Sequence, residues 1–510
     1  MARFKAYNYD QVELIPVSFN RQILPGTFEH ALVYLIDYEL DLSIFDEQYA
    51  NNKTGRLAYS PSLLLKIILL AYSRGITSSR KIAQLCCENV LFMAISANIQ
   101  PHFTTLADFI SRSASQISAL FVQVLMICDE QGLIGREMFA VDGCKLPGNA
   151  SKKQSGTHQD LKRKQKNLDE AVQFLLEKHK FEDRKPCNES QRQREEKRIE
   201  KYRTSSQRIR TFLAQNQEKM GRRNKAIQSN MTDPDSAKMK SSHGVIQGYI
   251  GVATVDAKHQ VIVSAEAFGE STEHGLLEHM LELTQGNLQD TDATMQGIKV
   301  LVDSGYHSKQ TLKYIEKQKL DVYLADTRMR QRDKRFDEYK THYKPKPYVP
   351  RVKKAKFKRE DFFVDLKTLK CVCPAGQELP LAVASTWVKN TEMIRFRGKK
   401  SQCTPCSLRS RCLGQPDQVS GRTFAVVKQT IQTEADHLVA KMQRKVDTEE
   451  GREIYSHRLG LIEPVFGHLT SAIGIKGFRL RGKAKVNLQW KLYCLLHNAL
   501  KLHRVGWQMV

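Results

Sequence analysis

Two apolar runs that each end in an aspartate constrain this chain more than any other feature. MFAVDGCKL (138–146) and GIKVLVDSGYHS (297–308) read as strands ending at Asp142 and Asp303, each Asp followed within two residues by glycine. An acid at the end of a buried strand is held rigidly where the sheet edge meets solvent. Hard oxygens fixed in this way suit a divalent cation that keeps positions open for water and phosphate. A lone aspartate in such a place more often starts a turn, so the weight of the observation lies in the pair. Between them, GYIGVATVDA (248–257) and QVIVSAEAF (260–268) flank a short turn at Lys258–His259, a hairpin signature. A helix is expected over Glu273–Thr284; helix TLKYIEKQK and strand LDVYLADT follow the second aspartate. Three early strands and then alternation predict an α/β fold, a mixed sheet covered by helices.

The length of 510 residues predicts several domains. The charge is 80 Lys+Arg against 55 Asp+Glu, a net of +25, which argues for a polyanionic partner. A membrane surface is the weaker choice. LLLKIILLAY (63–72) is about half a span long and carries Lys66, so a buried helix is expected there. MARFKAYNYDQVELIP has no apolar run suited to a signal peptide, and a cytoplasmic location is expected. From Ser60 to Arg112 the texture is helical, with Pro61 near a start, Gly75 at a stop, and Thr105 and Asp108 at capping-box spacing. Such a bundle is either a helix-turn-helix-like DNA contact or a plain scaffold. Residues 151–230 hold 22 Lys+Arg and 11 Asp+Glu, a charged helical arm or hairpin interrupted near Lys185-Pro186. Residues 327–360 hold 14 Lys+Arg against 4 Asp+Glu, with Tyr and Pro interleaved, and read as a basic strip able to track a phosphate backbone or as an exposed linker.

Cysteines without an export signal favour metal over disulfides. Cys403-Thr-Pro-Cys406 is a Cys-x2-Cys knuckle, and Cys373 and Cys412 complete the best tetrahedral zinc set, with Cys371 a substitute for Cys373. The plain alternative is free thiols in a loop. Cys86, Cys87, Cys128 and Cys494 lie in apolar helical settings and are expected in the core.

Glu463, in YSHRLGLIEPVFGHL, is the best candidate for a third acid, with Pro464 marking a helix start or kink. At helical spacing Tyr455, Arg458 and Glu463 share a face only approximately. In context, Asp142, Asp303 and Glu463 resemble the acids of bacterial insertion-sequence transposases of the DDE type, whose catalytic domain is RNase H-like. The resemblance runs in order through SPSLLLK to TTLADF, VDGCKLPGNASK, TDPDSAKMKSSHGVIQGYIGVATVD, VDSGYHS, and TEEGREIYSHRLGLIEPVFGHL with GFRLRGKAKVNLQW. The aspartates are 161 residues apart and Glu463 follows Asp303 by 160, leaving room for an insert.

The resemblance implies an N-terminal helical DNA-binding domain (1–125), a catalytic core (136–326) with the charged insertion 151–230, a basic and Cys-rich insert (327–425), and a C-terminal helical part (426–510). It implies two Mg²⁺ (or Mn²⁺) ions on Asp142, Asp303 and Glu463; structural Zn²⁺ on Cys373, Cys403, Cys406 and Cys412 is expected from the thiol spacing alone. Tyr455, Arg458, Lys476, Arg479 and Arg481 are expected to hold DNA phosphates. The partners would be terminal inverted repeats and target DNA, bound by a homodimer on paired ends near a bacterial nucleoid. Thr470 stands where related sequences commonly carry Lys, and Cys144 where Thr is more usual. The competing readings are a catalytically inactive DNA-binding derivative and a metal-dependent nuclease that does not join strands.

Overall fold

The computed structural model describes residues 17–49, 57–182, 189–221, 224–241, 244–290, 293–336, 357, 361–365, 368–388, 391–413, 421–427 and 434–507. Most of the basic strip, and the break near Lys185-Pro186, lie outside the described residues. The chain packs as two compact units, 1–327 with 442–510, and 328–441.

The first unit is built on a mixed sheet of strands β1 (Met138–Pro147), β2 (Ala237–Ser241), β3 (Gly244–Asp256), β4 (Ile262–Phe268), β5 (Lys299–Val302) and β6 (Val322–Leu324). The order is β2-β3-β1-β5-β6, with β4 also paired to β3. The β3–β4 hairpin is antiparallel, and β3 runs antiparallel to β1, whereas β5 lies parallel to both β1 and β6. The α/β expectation holds, with β2 added from the TDPDSAKMKSS segment. The expected helix at Glu273 begins later, as α9 (Leu277–Gln289), because Gly275 takes φ +74° just before it. Glu273 is therefore released from the helix.

Helices α1 (Phe28–Tyr34), α2 (Pro61–Ser73), α3 (Ser79–Glu88), α4 (Val90–Ile95), α5 (Phe103–Arg112) and α6 (Ala114–Glu130) precede the sheet. The apolar run of α2 is buried, as expected. Among the described residues no single helix is long and apolar enough to cross a membrane. Cys86, Cys128 and Cys494 are buried, but Cys87 is exposed, since α3 turns only one stripe inward. The charged arm is a pair of packed helices, α7 (His158–Glu182) and α8 (Glu189–Gln215), held by small clusters such as Val172, Leu175 and Ile199. Helix α10 (Lys309–Gln318) connects β5 to β6.

Three further helices follow: α11 (Glu434–Asp447), α12 (Glu449–Gly467) and α13 (Lys483–Lys501). Helix α13 is buried along most of its length, and it does two things for the sheet. Gly251 of β3 makes room for Trp490, whose ring would lie 2.9 Å from a methyl placed there, while the indole N–H donates to the Val252 carbonyl at 2.9 Å. Asn498 accepts from the Ile262 N–H and donates to the Ile262 carbonyl, both at 2.9 Å, and Asn487 accepts from the Ala267 N–H at 3.0 Å. An open strand edge carries unpaired backbone groups; here these two side-chain amides satisfy three of those of β4, and Asn287 of α9 donates to a fourth, the Val263 carbonyl, at 2.8 Å.

His497, on α13, donates from Nε2 to the Gln260 carbonyl at 2.9 Å, so its neutral Nδ1 accepts from His468 Nδ1 at 2.9 Å. Burial pulls His497 down to about 3 and lowers His468 as well. The unfolded chain takes up a proton on His497 near pH ~6.5, while the folded chain resists until far lower. Stability is thus fully present above that range and falls as pH drops through it. Acidification from pH 7 to pH 5 should cost about 2 kcal/mol in urea unfolding from His497 alone. His497→Gln should flatten the slope; an unchanged slope would refute the assignment.

The second unit carries hairpin β7 (Phe363–Asp365) and β8 (Lys370–Val372), and a sheet of β9 (Leu381–Val388), β10 (Thr391–Arg397) and β11 (Thr423–Val427) in that order. Its core is Phe362, Cys371, Leu379, Ile394, Phe396, Phe424 and Val426.

Candidate active site

Strand pairing brings the two aspartates together. In the parallel β1–β5 ladder Val141 lies opposite Val302; β5 ends there, so Asp303 stands just past its end beside Asp142, while β1 runs on past the expected end at Asp142 to Pro147 because it stays paired with β3. Buried Arg458 on α12 reaches both: its Nη1 donates to Asp142 at 2.8 Å and its Nη2 pairs with Asp303 at 3.1 Å. Thr448 caps this helix by accepting from the Gly451 N–H at 3.0 Å. Pro464 lies within the helix and cannot donate to the Gly460 carbonyl. Gln260 Nε2 donates to that carbonyl instead, at 3.3 Å, and the helix continues through the proline. Tyr455, one turn before Arg458, donates its hydroxyl to the Val302 carbonyl at 3.4 Å.

Burial raises the Asp142 carboxyl, against the opposing pull of Arg458 and the Gly143 N–H. It also pushes Tyr455 up to about 12. On Arg458 burial acts downward, but Tyr455, Asp142 and Asp303 outweigh it and raise the guanidinium. The clamp is a charged one.

Two residues that sequence reasoning missed complete the surroundings. Glu273 lies in the segment between β4 and α9, its Oε1 3.9 Å from Lys145 Nζ. Tyr306 is fully buried after Asp303, and its hydroxyl has no hydrogen-bond partner among the described residues. The glycines of the two aspartate motifs explain this packing. A methyl on Gly143 would lie 3.1 Å from the Tyr306 hydroxyl, and one on Gly305 would overlap Glu273 Oε2. The signal in the sequence was the glycine after each aspartate, which marks close approach as much as turning.

Glu463 lies on α12 with its side chain exposed. Five residues beyond Arg458, it sits about 140° around the helix at ~100° per residue. Asp142 and Asp303 are brought together; Glu463 points elsewhere. Among the described residues no group of three or more His, Cys, Asp or Glu side chains is disposed to hold a metal ion.

Lys476, Arg479 and Arg481 are exposed on the loop before α13. That loop is pinned to the end of β1: the Phe478 N–H donates to the Pro147 carbonyl at 2.8 Å, Asn149 donates to the Arg479 carbonyl at 2.8 Å, and Arg481 Nε donates to the Asn149 carbonyl at 2.8 Å. Asp233 accepts from the Gly482 N–H at 3.2 Å and Asp235 from the Lys483 N–H at 2.7 Å, placing two acids at the start of α13, where a helix favours negative charge. The TDPDS and GFRLRGK segments are thus partners in space.

In the second unit, Cys373, Cys403, Cys406 and Cys412 line one cavity of about 40 Å³. Burial raises the Cys412 thiol, Arg422 opposes it, and the other three cysteines add to the rise. Cys371 is instead fully buried in the core of that unit.

A mixed sheet that sets two aspartates side by side on neighbouring strands, in a strongly basic chain, defines an α/β protein with a carboxylate pair clamped by one arginine. The transposase DDE domain family matches residues 372–503, and the transposase domain family DUF772 matches residues 17–112. The chain is thus similar to transposases over a stretch near each end, and to the DDE type over the second of them. Among curated proteins and solved structures nothing matches it. Tyr455, Arg458, Glu463, Lys476, Arg479, Arg481 and the four cavity cysteines fall inside the DDE match; Asp142 and Asp303 precede it.

Proposed function

We propose that this chain is an insertion-sequence transposase that cleaves DNA at the element's ends and transfers the cut strand to target DNA, using Asp142, Asp303 and Glu463 on an RNase H-like sheet. The observation that carries the reading is the register of β1 on β5, which sets two carboxylates side by side around a single cation. A sheet antiparallel on one side of β1 and parallel on the other supports the RNase H-like assignment. Hard oxygens already gathered around one positive charge fit Mg²⁺ or Mn²⁺. Asp142 and Asp303 would hold the ions, and Glu463, exposed on α12 here, would join them on a turn of that helix as DNA and metal bind. When bound, two such ions activate the attacking water or DNA 3′-hydroxyl and stabilise the leaving oxygen.

The chain's own residues do the rest. Arg458, which here neutralises both aspartates, would be free to hold a phosphate bidentately where a divalent ion takes over that charge. Tyr455 keeps α12 against the end of β5 and offers its hydroxyl to the same phosphate. Lys476, Arg479 and Arg481, on a loop anchored at the β1 end, follow the backbone of the terminal repeat, and the α7–α8 pair adds positive surface. Two copies would act on paired ends, in the cytoplasm at the nucleoid. The test is cleavage and joining of a labelled fragment bearing the element's end, with Mg²⁺ or Mn²⁺. Binding without metal-dependent cutting would leave a DNA-binding relic; cutting without joining would leave a nuclease.

The four cysteines around the small cavity are proposed as a structural Zn²⁺ site, with the thiols turning inward to bind. Their soft donors and shared cavity support this, and a unit whose clustered core among the described residues is small gains stability from a closed site. One zinc per chain should be found by elemental analysis, falling below about a tenth in the double variant Cys403→Ser/Cys406→Ser. An equal zinc content in both would remove the assignment.

A further inference from the structure

The inner face of the α7–α8 pair is fully used, and the outer face of α7 is not. Inside, Leu161, Ile209 and Phe212 form one cluster and Val172, Leu175 and Ile199 another, while Lys178 and His179 both hold Glu195 at 2.7 Å. At ~100° per residue, Arg163, Lys166, Glu170, Phe174, Glu177 and Phe181 fall on one stripe of α7, turned away from those clusters. Phe174 is 68% exposed and Phe181 72%. Apolar side chains scattered singly over a surface need no explanation. Two phenylalanines seven residues apart on one stripe are different, because that is the repeat of a seam between helices. A shallow groove along the stripe is lined by Lys166, Glu170, Phe174 and Glu177.

Charge identifies what covers it. The stripe is basic in its first half, at Arg163 and Lys166, and acidic in its second, at Glu170 and Glu177. A helix face that changes sign along its length complements a copy of itself laid antiparallel, the two-fold arrangement in which residue i meets j and j meets i. About an axis near residues 171 and 172, Lys166 of each copy stands opposite Glu177 of the other. Arg163 approaches Phe181, where a guanidinium can lie over the ring, and the two Phe174 rings meet beside the axis. Two hairpins joined in this way make a four-helix bundle and cover the stripe that one hairpin leaves open. DNA suits this face poorly, since Glu170 and Glu177 would point at phosphates. The cations of the hairpin gather instead around a cleft beside Met231–Pro234, where Lys164, Lys201, Arg203, Arg208 and Arg210 meet one acid, Asp169.

We propose that the outer stripe of α7, from Arg163 to Phe181, is the docking surface for a second copy of this chain, bound antiparallel. This deepens one part of the function proposed above, the action of two copies, and rests on that part alone; neither the aspartates nor a metal enters it. It assigns the pairing of copies to the hairpin between β1 and β2, outside both matched regions.

The experiment is sedimentation velocity of the purified full chain over a range of concentrations, without DNA or metal, with thermal unfolding of each variant as the check on folding. Wild type should form a dimer whose share rises with concentration. Phe174→Ser should weaken the dimer at least about tenfold, because it removes an apolar anchor near the centre of the interface. Lys166→Glu and Glu177→Lys should each weaken it by at least about tenfold, since each places two like-charged pairs across the axis. Both positions are exposed, so unfolding should stay as in wild type. An equal mixture of Lys166→Glu and Glu177→Lys should recover the dimer, because each glutamate of one chain then meets a lysine of the other. A dimer as tight in Phe174→Ser as in wild type would overturn the α7 surface and leave the pairing of copies to another face. Charge variants as tight as wild type, or no recovery in the mixture, would overturn the antiparallel contact and with it the proposal. A wild type that stays monomeric overturns it too, and adding end DNA then decides whether two copies pair at all.

Discussion

Asp142→Asn will lower the rate of end cleavage by at least about a thousand-fold, the scale of removing a charge-stabilising group from a preorganised site. Asp303→Asn will do the same, because the β1–β5 register makes the two positions equivalent around one cation. The amide is close in shape to the carboxylate, and it can still accept a hydrogen bond from Arg458. What it loses is the charge that a divalent ion requires. End binding, measured by mobility shift without metal, should therefore stay within about threefold, since phosphate contacts made elsewhere on the surface carry that affinity. Glu463→Gln belongs in the same assay. Loss there as large as for the aspartates would mean that α12 turns when DNA and metal arrive. A rate near wild type for all three would end the catalytic reading.

Arg458→Met will destabilise the metal-free chain by about 3 kcal/mol, and Mn²⁺ will restore most of the loss. Removing one partner of a buried charge pair typically costs ~3–5 kcal/mol, because the other charge is left behind. The lower end applies here, since Asp142 and Asp303 remain 22% and 34% exposed and keep some water, while the arginine is 8% exposed. Methionine fills much of the same volume, so the effect is one of charge rather than packing. Two adjacent carboxylates without their cation repel each other, and a divalent ion relieves this directly, so the variant should bind Mn²⁺ more tightly than wild type. Anything that binds only the folded state stabilises it by mass action. Urea unfolding with and without Mn²⁺ measures both effects. Cleavage should still fall, because the proposed phosphate contact is gone. A variant as stable as wild type without metal, and indifferent to Mn²⁺, would show that Arg458 does not stand in for the ion.

The Asp142–Arg458–Asp303 clamp was half legible in the sequence. Apolar runs ending in aspartate identified β1 and β5, since strand burial is written in hydrophobicity. The triplet spacing of Tyr455 and Arg458 put both on one face of a helix. The pairing of β1 with β5 could not be read, because register is a contact between segments 161 residues apart. Nor could the pairing of Arg458 with both acids, for the same reason. Glu273 escaped notice because Gly275 ended its helical expectation only through a backbone angle, and because its neighbours Gly305 and Lys145 are remote in sequence.

The sequence by itself determined the class of sheet, the helical ends, the basic character, the buried apolar helix at 61–73 and the grouping of thiols. These depend on local periodicity, composition and spacing. Tertiary structure alone decided which acid stands beside the aspartates, which cation holds them apart, which cysteine is core and which lines the cavity. Each of those is set by side chains meeting across distant segments, where burial and charge act together and no local pattern records the outcome.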